Sequence, residues 1–165
     1  LDFAKADVAG RHFDNLAIYE LVRRKVPFII LLDGAADPRF EFADFANLLE
    51  KIRADFGVTI DIEDLDKLIA KRNEDKEPRA EAGVVAGVIH YGSSFKGKLF
   101  YVKTTLINGL PEDIYGYWRR HNEFPDESTA DQFFDEKQFE AYRELGYQLG
   151  SRLDQLPEFD EVKKL

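Results

Sequence analysis

Val26-Pro27-Phe28-Ile29-Ile30-Leu31-Leu32 is the stretch on which the fold turns. It is short, apolar throughout and rich in β formers. A strand with one wet face alternates apolar and polar residues. An unbroken run of this length reads as a strand covered on both faces. Asp33-Gly34-Ala35-Ala36-Asp37-Pro38 supplies turn chemistry at its carboxyl end. Upstream, residues 13–25 carry Leu16, Ile18, Tyr19 and Val22 at the three-and-four spacing of a helix with one buried stripe. Asp14 or Asn15 is placed to cap its start. Arg23, Arg24 and Lys25 close it, where cations oppose the helix dipole. Downstream, residues 42–56 set Phe45, Leu48, Leu49, Ile52 and Phe56 on one side of a second helix, with Gly57 at its C′ position.

Further along, residues 58–62 read as a short strand and 63–72 as a short helix. Residues 73–81 are charged, carry Pro78 and read as an exposed loop. Residues 83–91 and 97–106 are two strands joined by the hairpin connection Gly92-Ser93-Ser94-Phe95-Lys96. Pro111 opens a helix that runs to about residue 120. After a loop at 122–128, Ser128 or Thr129 starts a last helix to about residue 153, with Phe133, Tyr142, Leu145 and Leu149 inward. This order indicates an α/β fold. The early part has the pattern of a doubly wound sheet with covering helices, and the later hairpin reads as antiparallel strands added at its edge. Residues 1–156 are expected to form one domain segment, and 157–165 a flexible tail.

Composition narrows the function classes. Hydrophobic residues make up 44 % of the 165, with 14 Phe and 7 Tyr, enough for a packed core. The net charge of −9 repels phosphate backbones, so nucleic acid is not an expected partner. It also opposes simple docking on anionic lipid. The absence of Cys excludes disulfides and thiolate metal sites. No apolar run approaches the ~20 residues that cross a bilayer, and the start has neither the basic nor the apolar region of a signal peptide. A chain that begins at Leu1 and has no Met is expected to be cut from something longer.

The stretch from Gly10-Arg11-His12-Phe13-Asp14-Asn15-Leu16 through Tyr19-Glu20-Leu21 resembles the segment that follows the catalytic aspartate in patatin-like lipid acyl hydrolases. That family has a D-G-G-x-F-x-N pattern, then a helix and an apolar strand. The resemblance continues through Ile29 to Pro38, through Ala43 to Gly57, and through Lys98-Leu99-Phe100-Tyr101-Val102-Lys103. It reaches Ser128-Thr129-Ala130-Asp131-Gln132-Phe133-Phe134 and covers roughly residues 8–150 in consistent order. It implies a serine–aspartate dyad that cleaves lipid esters. The serine would lie in G-x-S-x-G at a sharp strand-to-helix turn, and a glycine-rich loop would stabilise the oxyanion. Both precede the aspartate in the family's chain order, so the implied partners are an N-terminal part of the same protein and a lipid ester. No cofactor and no metal are implied. The resemblance also makes a membrane surface a place of action, cytoplasmic or membrane-peripheral, with anchoring open for the full-length protein. A sheet cut from its other half would self-associate through an exposed strand edge.

Matching His12-Phe13-Asp14-Asn15 without gaps puts Ala9 at the dyad aspartate and Gly10 at the first glycine of the pattern. Alanine has no proton acceptor. Asp7, two residues upstream, substitutes only if the loop is rearranged, and otherwise reads as a surface carboxylate. Gly10, His12 and Asn15 support the loop. The alternative to an acyl hydrolase is a non-catalytic lipid- or protein-binding domain that has lost the dyad. Ser94 lies in G-x-S but is followed by Lys96 and a strand pattern, so it reads as a hairpin residue. Asp33-Gly34 reads as a turn carboxylate at a strand end. His12, His90 and His121 lack zinc-site spacing, and Asp61, Glu63, Asp64 and Asp66 lack that of an EF-hand loop.

Overall fold

The computed structural model describes residues 14–71, 77–92, 95–128 and 133–164. Helix α1 (Tyr19–Arg23) precedes strand β1 (Phe28–Asp33), and helix α2 (Ala43–Phe56) leads to β2 (Thr59–Asp61). A 3-10 helix at Leu65–Leu68 is followed by β3 (Val84–His90) and β4 (Lys96–Lys103). Helices α3 (Glu112–Trp118) and α4 (Glu136–Ser151) come next, then 3-10 helices at Leu153–Gln155 and Pro157–Lys164. The four strands form one mixed sheet in the order β1-β4-β3-β2. β1 runs parallel to β4, while β3 is antiparallel to both β4 and β2. The fold is therefore mixed α/β. No helix among the described residues is long and apolar enough to cross a membrane.

The hairpin is present, but it is not an addition at the edge. β4 sits inside the sheet, and β1 is an outer strand. Burial follows this placement. β4 is buried at five successive positions from Leu99 to Lys103, whereas β1 alternates between buried and exposed from Ile29 to Asp33. The unbroken apolar run thus belongs to a strand with one open face, because interior position in the sheet, and not hydrophobicity alone, decides what is covered.

Opposed residues in the register share a face. Ile29 and Leu31 of β1 lie with Leu99 and Tyr101 of β4, and with Val85 and Ile89 of β3. Val22 of α1 and Phe45, Leu48 and Ile52 of α2 pack on this face in one core cluster. On the other face, Val84 and Val102 join Ile114 and Tyr115 of α3 and Leu145 and Leu149 of α4 in a second cluster. A Cβ on Gly83 would lie 2.2 Å from Leu149, so glycine permits this close approach of α4 to the start of β3. Phe159 packs edge-on against Phe100, so the 3-10 helix Pro157–Lys164 touches the sheet where the sequence reading expects a frayed tail.

Three element boundaries have local causes. α2 ends in Gly57 at φ 64°, with Val58 N–H donating to Ile52 and Gly57 N–H to Arg53, a glycine-closed helix end as the sequence indicates. α1 is shorter than the spacing suggests, because Ala17 takes φ 57° and closes a turn onto Asp14. The Asp14 carboxylate accepts instead from Tyr19 N–H at 3.0 Å. α4 begins at Glu136, later than Ser128 or Thr129, because Asp135 caps it by accepting from Gln138 N–H at 2.7 Å. Phe133, expected inward, is 92 % exposed, whereas Leu145 and Leu149 are buried as expected.

Candidate functional site

The parallel strands β1 and β4 end side by side at Asp33 and Lys103. Open α/β sheets place functional groups at such carboxyl ends. Burial inside the sheet leaves the Lys103 side chain only 1 % exposed and the Asp33 side chain 6 %. Two desolvated charges persist only if paired and hydrogen-bonded. Lys103 Nζ lies 3.4 Å from Asp33 Oδ1 and donates to the Ala35 carbonyl at 2.7 Å. Asp33 Oδ1 also accepts from Ala35 N–H at 3.0 Å, and Oδ2 accepts from the Tyr101 hydroxyl at 2.5 Å. Burial, then the bonded Asp33 carboxylate, pushes the Tyr101 phenol far above its ordinary pKa, so it stays a neutral donor. With both carboxylate oxygens engaged, Asp33 is a turn-and-clamp residue and not a free base.

The loop after β1 carries this network outward. Asp37 accepts from the N–H groups of Glu41 at 2.9 Å and Phe42 at 2.8 Å. Phe40 and Phe42 are held at φ 52° and 49°, a left-handed conformation that bulky residues rarely adopt. Asp37 N–H in turn donates to Asp126 Oδ1 at 2.7 Å. Burial raises the Asp126 pKa above the usual carboxylate value, against the lowering effects of the Asp37 N–H and of Lys103. Asp126 lines a cavity of about 490 Å³ whose walls include Phe40, Thr105, Trp118, Glu123 and Phe124. Thr105 is 1 % exposed, and its buried hydroxyl has no hydrogen-bond partner.

A second cavity, about 580 Å³, lies over β3 and the start of β4 between Asp61, His90, Lys98 and Glu158. There His90 Nε2 is 2.9 Å from Asp61, and Lys98 pairs with Glu161 at 2.8 Å.

Of the residues singled out in the sequence, Asp7, Ala9, Gly10, His12 and Ser94 lie outside the described residues. Asn15 is described. Its Nδ2 donates to Asp44 at 3.1 Å, in the first turn of α2. His121 stacks on Tyr117 with ring centroids 4.3 Å apart, and His90 pairs with Asp61. Among the described residues no group of three or more His, Cys, Asp or Glu is placed to hold a metal. Sequence reasoning passed over Tyr101, Lys103 and Asp126. A lysine closing the apolar run Leu99-Phe100-Tyr101-Val102 was the available signal for Lys103. Nothing local distinguished Asp126, which is set by a contact spanning 89 residues.

Compared with protein-family models, with curated proteins and with solved structures, the chain matches none.

Proposed function

We propose that the chain is the aspartate-side part of a patatin-like serine acyl hydrolase domain, contributing part of a doubly wound sheet, its covering helices and the loop that faces the serine. The observation that carries this reading is the placement of Asn15. In the resemblance Asn15 braces the dyad loop, and here it bonds Asp44 at the start of α2. α2 starts beside the carboxyl ends of the parallel strands, since Phe45 lies 4.9 Å from the Tyr101 ring. Asn15 therefore lies on the side of the rim where α/β sheets perform chemistry. Serine and oxyanion loop would come from an N-terminal portion, and the substrate would be a lipid ester.

A second reading, a lipid- or protein-binding domain without turnover, is favoured by one residue. Ala9 stands where the resemblance puts the dyad base, and it carries no proton acceptor. The deciding experiment is Ala9→Asp in a full-length protein that contains G-x-S-x-G, assayed on phospholipid, beside the same change with that serine removed. A serine-dependent gain of about 10²- to 10⁴-fold, the range of general-base assistance, supports the hydrolase scaffold. No gain in a folded protein supports the binding domain.

A further inference from the structure

Two places in the chain set an acidic or amide side chain directly before a glycine, Asp33-Gly34 and Asn108-Gly109. Such a pair can close a cyclic imide, in which the glycine nitrogen attacks the side-chain carbonyl carbon and no Cβ hinders the approach. The fold separates the two. Asp33 is 5 % exposed, and its carboxylate is held by the Tyr101 hydroxyl and by Ala35 N–H, so it is not free to turn onto Gly34. Asn108 and Gly109 are exposed at the tip of a turn between buried Ile107 and Leu110. Gly109 has φ 78°, and its N–H has no hydrogen-bond acceptor among the described residues. The turn is fixed at its ends instead. The Tyr115 hydroxyl donates to the Ile107 carbonyl at 2.5 Å and accepts from Leu110 N–H at 3.3 Å. Two guanidiniums converge on the tip. Arg79 Nη1 donates to Asn108 Oδ1 at 3.4 Å, and Arg152 Nη2 lies 3.5 Å from where a Cβ on Gly109 would stand. Arg79 is balanced by Glu77 at 2.6 Å. Arg152 reaches the Gln155 side chain at 3.5 Å but no carboxylate among the described residues, and its Nε is buried without a partner. Arg79 thus faces the oxygen on which negative charge develops when Asn108 Cγ is attacked. Arg152 stands beside the place where a product carboxylate would form.

We propose that Asn108-Gly109 is a self-modification site, where the folded chain deamidates through a cyclic imide with Arg79 polarising the amide. The Gly109 nitrogen forms a bond to Asn108 Cγ, the Cγ–Nδ2 bond breaks, and the nitrogen's proton passes through water to the amide, which leaves as ammonia. Water then opens the imide at either carbonyl, giving aspartate or isoaspartate. The net change converts an amide and water into a carboxylic acid and ammonia. Aspartate supplies Arg152 with the carboxylate it lacks. Isoaspartate inserts an extra main-chain carbon between Ile107 and Leu110, whose spacing Tyr115 fixes from both sides. The assignment stands apart from the acyl-hydrolase reading and does not depend on position 9.

The experiment ages the folded 165-residue chain in mildly alkaline buffer, beside the same chain unfolded in urea. Peptide mass mapping reads conversion at each asparagine, and labelling by an isoaspartyl methyltransferase reads isoaspartate. The folded chain should convert Asn108 ahead of its other asparagines and yield both products there, while Asp33 should gain isoaspartate only in urea. Arg79→Gln should slow the folded reaction by up to about fivefold, the scale of an exposed charge interaction, and leave the rate in urea unchanged. In urea unfolding, Arg152→Gln should lower the midpoint of Asn108→Asp by more than it lowers that of the parent, which reads the new ion pair. The aged isoaspartate form should unfold at lower urea than Asn108→Asp. The proposal is overturned if Asn108 stays intact in the folded chain while it converts in urea. It is equally overturned if the product at Asn108 is aspartate without isoaspartate, or if Arg79→Gln leaves the folded rate unchanged.

Discussion

On β1, Ile29 and Leu31 are each 1 % exposed, while Ile30 and Leu32 on the opposite face are 45 % and 71 % exposed. The first pair lies under α1 and α2. The second pair belongs to a face that α4 and the last 3-10 helix cover over β3 and β4, where Val84, Val102 and Phe100 are buried. Val88 on β3, toward the other end of that face, is also exposed, at 37 %. The difference teaches that apolar sequence reports what a strand is able to bury, and that a neighbouring layer decides what it does bury. Under the acyl-hydrolase reading, the open part of the face and the outer edge of β1 are where the rest of the sheet and its helices would dock.

The largest expected effect lies on the covered face. Lys103→Ala leaves the buried Asp33 carboxylate without its cation and should cost about 3–5 kcal/mol in urea unfolding. Combining Lys103→Met with Asp33→Asn should restore much of that loss. A cost under about 1 kcal/mol for Lys103→Ala would mean that water reaches this end of the covered face.

A pair of truncations compares the faces directly. Leu99→Ala, at a fully buried position on the covered face, should cost about 2–5 kcal/mol through lost burial and a residual cavity. Leu32→Ala on the open face should stay within about 0.5 kcal/mol. Equal losses would show that something covers the open face in solution.

At protein concentrations above those of the unfolding comparison, the open face is expected to be covered by another copy. Sedimentation should show self-association of the chain through the β1 edge and its open face, and Leu32→Lys should shift it toward monomer with folding intact. A parent chain that sediments as a monodisperse monomer would defeat this expectation.

The smallest effect lies at the carboxyl rim. Burial raises the Asp126 pKa, so the folded state binds the proton more tightly than the unfolded state does. The charged carboxylate therefore costs stability above the folded pKa, and the cost is relieved as pH falls through it. Asp126→Asn should be slightly more stable than the parent at neutral pH and converge with it on acidification. A gap that widens toward acid would show that burial is not what governs this carboxylate.

Local rules carried far in this chain. Gly57 marked the end of α2 because only a residue tolerant of positive φ closes a helix that way. The hairpin was legible in Gly92 to Lys96 because the apolar runs on either side are too short for anything but strands. The stripe of Phe45, Leu48 and Ile52 was legible because a helix repeats every 3.6 residues. The order of the strands, the open face of β1 and the pairing of Asp33 with Lys103 were not legible. Each depends on groups distant in sequence: Asp33 and Tyr101 are 68 residues apart, and Asp37 and Asp126 are 89 apart. The sequence by itself determined where the chain turns and which side chains seek burial, because those preferences act within a few residues. Only the tertiary structure decided which apolar face is covered and which charges lose their water, because burial is set by what packs alongside from elsewhere in the chain.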